Sequence, residues 1–298
     1  MVNPRIIKDK VIANAMLVLS LASVSLVFLI GFGLYYRAAP LFEEQSLLSL
    51  FHTSEWAPSN GKFGFYPFIM GTLWVTFIAI VVALPLCLLT AIYVTEYAKP
   101  SVRRIFLPLV NILAGIPPVI YGVWGIFFVV PIVREHIAPP FMEYSSGYTV
   151  FTGGLVLAVM IFPILVSIVS EVLRTIPKEL KDASLSLGAT KWETIKKVVI
   201  KRALPGIVAA TVLAVSRAFG ETIAVLMVCG NVPVAPTTAF DGGYPLPALI
   251  ANNFGEMMSI PLYDSALMFA ALLLFVIIFL FNLVSRIILN SIEYKYNS

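Results

Sequence analysis

Six long apolar runs, separated by short polar connections, organise this chain of 298 residues. They cover roughly 11–36, 66–95, 105–133, 149–172, 206–230 and 262–289. Each reaches the ~20 residues that a helix rising about 1.5 Å per residue needs to cross a bilayer. A backbone in lipid must satisfy its own hydrogen bonds, so the runs are predicted to be helices. The polar stretch from Glu171 to Gly206 has a different rhythm. Pro177 suits a first helical turn, and Leu180, Ala183, Ser184 and Leu187 recur at i, i+3, i+4 and i+7, which predicts a short helix with a small, short-side-chained face. Gly188 is placed to end it in the left-handed conformation. Thr190 and Glu193 then form a T-x-x-E capping box for a second helix, with Trp192, Ile195, Val198 and Val199 on its apolar side.

Composition agrees with the pattern. Hydrophobic residues make up 59% of the chain, charged residues 12%, and the mean hydropathy is +0.94, which leaves too little polar surface for a soluble globule of this length. The predicted class is an all-α integral membrane protein, with residues 1–298 forming a single transmembrane domain. Basic residues fall mainly in alternate connections. One side receives Arg5, Lys8, Lys10, Lys99, Arg103, Arg104, Arg286, Lys295 and the eight Lys and Arg residues between Arg174 and Arg202, whereas the other receives Arg37, Lys62 and Arg134. That asymmetry places both termini and the segment 174–205 in the cytoplasm. It also accounts for most of the net charge of +4, which gives no separate reason to invoke nucleic acid. The first run is longer than the 7–15 residues of a signal-peptide core, so it is read as a retained anchor.

Enzymatic readings lack their equipment. The sequence holds no GxxxxGK[ST] phosphate loop, no HExxH helix and no GxSxG elbow, and no catalytic residue or metal site is assigned. His52 and His136 lie outside the apolar runs without metal-ligand spacing, and Cys87 and Cys229 fall at different depths, which argues against a disulfide. Two intramembrane features stand out instead. Arg217 lies near the middle of the fifth run, where a charge costs at least about 2.5–3.5 kcal/mol on insertion scales. Glu221 is four residues on, so the two are expected to share a helix face, either as a structural ion pair or as part of a substrate path. A guanidinium fork suits an oxyanion, which favours the path, with Glu221 holding the arginine when the path is empty. In the third run Pro117 and Pro118, bracketed by Gly115 and Gly122, are expected to kink or unwind a helix in mid-span, either for packing or as a gate.

The residues also carry a resemblance. Lys181-Asp182-Ala183-Ser184 followed by Leu185-Ser186-Leu187-Gly188 is similar to the EAA motif of ABC importer membrane subunits, with Asp182 for Glu and Ser184 for the second Ala. In that family the segment is a coupling helix seated in a cleft of a separate ATPase subunit. The resemblance therefore assigns ATPase coupling to Glu179, Leu180, Asp182, Ala183, Ser184, Leu187 and Gly188, although the residues alone would equally suit a helix lying on anionic lipid. Ile200-Lys201 stands where the family often has Leu-Pro, which shifts or softens the helix break expected at Pro205-Gly206. Leu113-Ala114-Gly115-Ile116-Pro117-Pro118-Val119-Ile120-Tyr121-Gly122, Arg217-Ala218-Phe219-Gly220-Glu221-Thr222 and Gly230-Asn231 resemble the phosphate-specific permeases of bacterial phosphate uptake. Trp56-Ala57-Pro58 and Phe63-Gly64 are closer to the C-type subunit. The resemblance implies six spans of the type I importer fold in the bacterial inner membrane. It also implies a homologous A-type permease as heterodimer partner, a cytoplasmic ATPase dimer that holds ATP and Mg2+, and a phosphate-binding protein received by the outer loops. A permease for molybdate or sulfate and an ion-driven secondary transporter are the alternatives.

Overall fold

The computed structural model describes residues 4–256 and 260–297, with side chains for 8–256 and 260–292. Helix α1, Pro4–Glu44, leads into α2, Leu47–His52, and a two-stranded antiparallel ribbon pairs β1, Trp56–Ala57, with β2, Lys62–Phe63. Helix α3, Tyr66–Ile92, widens into a π turn at Tyr93–Tyr97, and α4 is Pro100–Ala114. Helix α5, Pro118–Trp124, continues through a π turn at Gly125–Val129, the short α6 at Val130–Ile132, and a second π turn at Val133–Ile137. Then come α7, Val150–Arg174, and α8, Lys178–Ser186. Next, α9, Lys191–Thr194, passes through a π turn at Ile195–Val199 into α10, Ile200–Phe219. Helices α11, Ile223–Val228, α12, Leu246–Asn253, and α13, Tyr263–Asn297, complete the chain.

Among the described residues six helical stretches are long and apolar enough to cross a membrane: Lys8–Glu44, Tyr66–Tyr97, Pro118–Ile137, Val150–Arg174, Lys191–Phe219 and Tyr263–Ile292. Two of the predicted runs need correction. The third does not kink at its prolines; it is two helices. The Gly115 N–H turns back to the Ile112 carbonyl at 3.0 Å and the Ile116 N–H to that of Leu113 at 3.2 Å, which tightens the last turn of α4 until it stops. Pro117 is then extended (φ −59°, ψ 140°) and Pro118 occupies the first turn of α5, where its missing N–H removes no helical bond. The fifth run begins earlier than predicted, at Lys191, and α10 passes through Pro205 without stopping. It ends at Phe219, not at Gly230, with the Gly220 N–H bonded to the Arg217 carbonyl at 3.2 Å.

The larger core centres on α3 and α7, which pack along their length with α5, α10 and α11 around them. Close approach of helices in lipid relies on small residues, because no apolar surface is gained by leaving one hydrocarbon for another. Gly154 provides one such contact: a Cβ there would lie 2.5 Å from Ile78 Cγ2 of α3. Gly206 provides another, since a Cβ would lie 2.5 Å from Val172 Cγ1, so the Pro205-Gly206 pair serves packing against α7.

A second core closes the opposite end of the bundle from α8. Ala38, Leu41, Leu50 and Phe65 before α3, with Tyr244, Leu246 and Leu249 at α12, supply much of it. Trp56 meets Phe63, Phe65 and Phe68 edge-on at ring-centre distances of 5.6, 5.4 and 4.8 Å. Leu246 at the start of α12 donates its N–H to Thr72 Oγ1 of α3 at 2.9 Å, and Arg37 of α1 meets Asp264 of α13 at 3.3 Å.

Candidate functional site

Helix α8 has no buried residue, which is unusual for an ordered helix, so its position must be fixed by a few polar ties. Lys181 donates to Glu96 Oε1 at 2.6 Å in an ion pair whose side chains are only 22% and 10% exposed. The Ser184 and Thr194 hydroxyls share a hydrogen bond of 2.9 Å, joining α8 to α9. Lys191 Nζ sits 4.4 Å from the centre of the Tyr97 ring, a cation–π contact. The corner formed by α8 and α9 therefore grips the wide turn that ends α3.

The local fold follows the sequence closely here. The Ala189 N–H reaches the Ser184 carbonyl at 3.3 Å and the Gly188 N–H that of Leu185 at 3.0 Å, a Schellman closure with Gly188 at φ +84°. A side chain at that φ is disfavoured, which explains the glycine. Thr190 and Glu193 form the capping box: the Glu193 N–H donates to Thr190 Oγ1 at 3.3 Å and the Thr190 N–H to Glu193 Oε2 at 3.0 Å. The predicted face divides. Ser184 turns toward the protein, whereas Glu179, Leu180, Asp182, Ala183 and Leu187 are exposed, Leu187 at 89%. With Leu180 at 40% and Leu185 at 45%, Leu187 leaves α8 with exposed apolar side chains.

The second part of the site lies deep among the spans. Tyr121 of α5 donates its hydroxyl to the Leu113 carbonyl of α4 at 2.8 Å, bracing the joint at Gly115 and Pro117. Leu113 and Tyr121 line an apolar cavity of about 280 Å³ with Leu86 of α3 and Phe162 and Pro163 of α7, which places this joint near the middle of α7. The break after α10 sits beside it, because α11 packs on α5. A Cβ on Gly122 would lie 3.3 Å from Ala224 Cα and 2.6 Å from Met227 Sδ, and one on Gly125 would lie 3.0 Å from Val228 Cγ1. Two discontinuous helices thus meet at one depth.

Arg217 is in the last turn of α10 and exposed, and among the described residues it makes no hydrogen bond or ion pair. Glu221 lies beyond the helix end and is half-buried. Its Oε1 accepts the Ala224 N–H at 3.4 Å, while Thr222 Oγ1 donates to the Gly220 carbonyl at 3.1 Å. The expected pairing of Arg217 with Glu221 on one helix face is therefore not made. The face does not exist, because Gly220 ends the helix between them. Carbonyls around Pro117 are also occupied: Leu113 O accepts the Tyr121 hydroxyl and the Ile116 N–H, and Pro117 O accepts the Ile120 N–H at 3.0 Å.

Sequence reasoning missed Glu96 and gave Tyr121, quoted within the Leu113–Gly122 motif, no role of its own; the two tie the parts of the site to α3 and α4. Glu96 had one available signal, an acid at the end of an apolar run facing a basic segment. Two polar bridges between spans were also missed: Ser167 to Asn111 Oδ1 at 3.3 Å and Ser216 to Asn282 Oδ1 at 2.8 Å.

Residues 85–296, a stretch that includes α8 and both breaks, match the family of binding-protein-dependent transport system inner membrane components. The chain belongs to that family. As a member it is a multi-pass inner-membrane permease. It is 36% identical over 256 residues to a phosphate transport system permease protein PstC of Pasteurella multocida, covering 81% of this chain and 79% of that one. A probable phosphate transport system permease protein PstC of Methanocaldococcus jannaschii is 35% identical over 277 residues, with coverages of 88% and 87%. A probable ABC transporter permease protein YqgH of Bacillus subtilis is 37% identical over 233 residues, with coverages of 78% and 74%. Among solved structures, the permease fold recurs in a bacterial alginate ABC transporter, with a TM-score of 0.63, 15% identity and coverage of 94% of each chain. It recurs also in an inward-facing MetNI methionine ABC transporter, with a TM-score of 0.54, 23% identity and coverages of 76% and 93%. The permease fold is the type I importer fold.

Proposed function

We propose that this permease forms half of a translocation pore for inorganic phosphate, as the C-type partner of a homologous A-type subunit. The observation that carries the reading is α8, ordered, without a buried residue, and tied by Lys181 to α3, one of the central helices. Such a helix suits the cleft of a cytoplasmic ATPase dimer, which would hold the ATP and Mg2+. Both termini and α8 then lie in the cytoplasm, and the aromatic second core faces a phosphate-binding protein on the other side. ATP-driven closure of the ATPase pair would move α8, and the Lys181–Glu96 tie would pass that motion to α3 and the bundle. Alternating access follows when the two permeases rock against each other.

Within the pore, Arg217 is the group that meets the anion. Its guanidinium is exposed and uncommitted beside a helix break, and planar two-point donation matches a phosphate oxyanion. Glu221, which here caps α11, is the nearby acid that weakens capture so that the anion can leave. Arg217→Ala is expected to leave the complex assembled and to lower phosphate uptake at least tenfold. ATPase assays on the reconstituted complex with its binding protein, using phosphate against sulfate, test the substrate. Normal uptake by Arg217→Ala would remove the arginine from the path, and equal stimulation by sulfate would remove the assignment to phosphate.

A further inference from the structure

Beside the α8 corner, a recess of about 470 Å³ opens between the end of α3, the start of α4 and the end of α7. Arg103, Arg104 and Arg174 line it, and none of its lining residues is acidic. Arg103 spends Nε and Nη2 on the Val94 and Thr95 carbonyls, which fixes its guanidinium plane and leaves Nη1 uncommitted. Arg104 makes no hydrogen bond or ion pair among the described residues. Arg174 has one acidic neighbour, Glu171, at 3.8 Å, and that carboxylate is 75% exposed. The first turn of α4 adds to the positive field. Lys99 precedes it without a side-chain cap and Pro100 has no N–H, so the N–H groups of Ser101 and Val102 have no helical partner.

The inner wall is different. Leu107 and Pro108 continue the recess along α4, and the neighbouring Ile105 and Leu109 are 65% and 53% exposed. A cationic mouth at the level where spans end, opening onto an apolar helix face, has the polarity of a phospholipid. We infer that this recess holds the phosphate group of an anionic phospholipid, with an acyl chain lying along α4. The charge requirement is a phosphate oxyanion, and free inorganic phosphate shares it. What favours the lipid is the continuation of the recess into exposed apolar surface, which a free anion has no use for.

Native mass spectrometry of the full-length chain in detergent, titrated with phosphatidylglycerol or phosphatidylcholine, tests the site. One phosphatidylglycerol is expected to be retained at a lipid concentration at least tenfold lower than phosphatidylcholine requires. Arg104→Gln with Arg174→Gln should abolish that preference without touching Arg103, which caps α3. Leu107→Trp fills the recess without altering charge and should lower retention comparably, so a folding defect in the double variant leaves the test intact. Millimolar inorganic phosphate is expected to leave the bound lipid in place. Displacement of the lipid by inorganic phosphate would overturn the lipid assignment, and equal retention of the two lipids, or unchanged retention in the variants that fold, would overturn the site.

Discussion

Removing the Glu96 carboxylate while keeping its shape, as Glu96→Gln, isolates the tie that holds α8. The partners are 2.6 Å apart with side-chain exposures of 22% for Lys181 and 10% for Glu96. Breaking a buried pair by removing one partner costs roughly 3–5 kcal/mol, because the other charge stays desolvated and unpaired. Lys181 keeps some access to water, so the expected cost falls below that range, at roughly 2–3 kcal/mol. At about 1.4 kcal/mol per factor of ten, that lowers the ratio of docked to undocked α8 by roughly 30- to 150-fold. Hydrogen exchange at the amides of Leu185, Ser186 and Leu187 reads this ratio, since their protection depends on an ordered α8. Glu55→Gln is the control: Glu55 pairs with Lys62 at 2.9 Å but both are more than half exposed, so the expected effect is about 0.5 kcal/mol or less. In a double-mutant cycle, adding Lys181→Gln should restore part of the loss, because no charge is then stranded. Unchanged exchange in Glu96→Gln, or costs that simply add, would refute the tie. Intact exchange with lost phosphate uptake would place Glu96 elsewhere in the transport cycle.

Further outcomes can be stated more briefly. Gly125→Ala should destabilise the chain by about 1–3 kcal/mol, because the new Cβ would lie 2.7 Å from Val156 Cγ2 and 3.0 Å from Val228 Cγ1; Gly33→Ala, with nothing within 4 Å, should not, and thermal unfolding in detergent compares them. Tyr121→Phe removes the 2.8 Å bond to Leu113 O, costs about 1 kcal/mol, and should raise protease or labelling access at 113–118. Desolvation pushes the Asp241 carboxyl upward, but the Thr238 and Thr237 N–H groups and the Thr237 hydroxyl outweigh it and hold its pKa below the ordinary value. A depressed carboxyl contributes stability above its unfolded pKa of about 3.9, and that stability is lost as pH falls through the lower folded value. Exchange protection at Thr237 and Thr238 should therefore be flat from pH 8 to 5 and fall only in strong acid, whereas Asp241→Asn should show reduced protection throughout.

How much was legible depended on whether the determining contacts were local. The α8–α9 corner was readable to the residue, because Gly188, Thr190 and Glu193 set it through bonds spanning a few positions. The spans were readable as apolar runs, yet apolarity does not mark where a helix stops. Gly220 looked like part of a continuous fifth span because its neighbours Phe219 and Ile223 are as hydrophobic as any spanning residue. The stop there comes from a tight turn and from caps supplied by Glu221 and Thr222, which hydropathy does not register. Pro117-Pro118 announced an interruption but not its form, since two prolines suit either a kinked interior or the start of a new helix. The partners of Lys181, Asn111 and Ser216 lie 56 to 85 positions away, and no periodicity reaches that far.

The wide turn at Ile195–Val199 sets an angle as well as a path. A π turn holds one more residue than an α turn, and each helical residue advances the azimuth by about 100°. Everything downstream in α10 is therefore rotated by about that angle relative to an unbroken helix starting at Lys191. Arg217 emerges on the exposed side and Ala218 on the buried side as a result of that single extra residue. Deleting one residue from 195–199 would keep the composition and length of the span almost unchanged, yet turn Arg217 toward a different neighbour. The direction in which the arginine points is thus a property of phase, written some twenty positions before it.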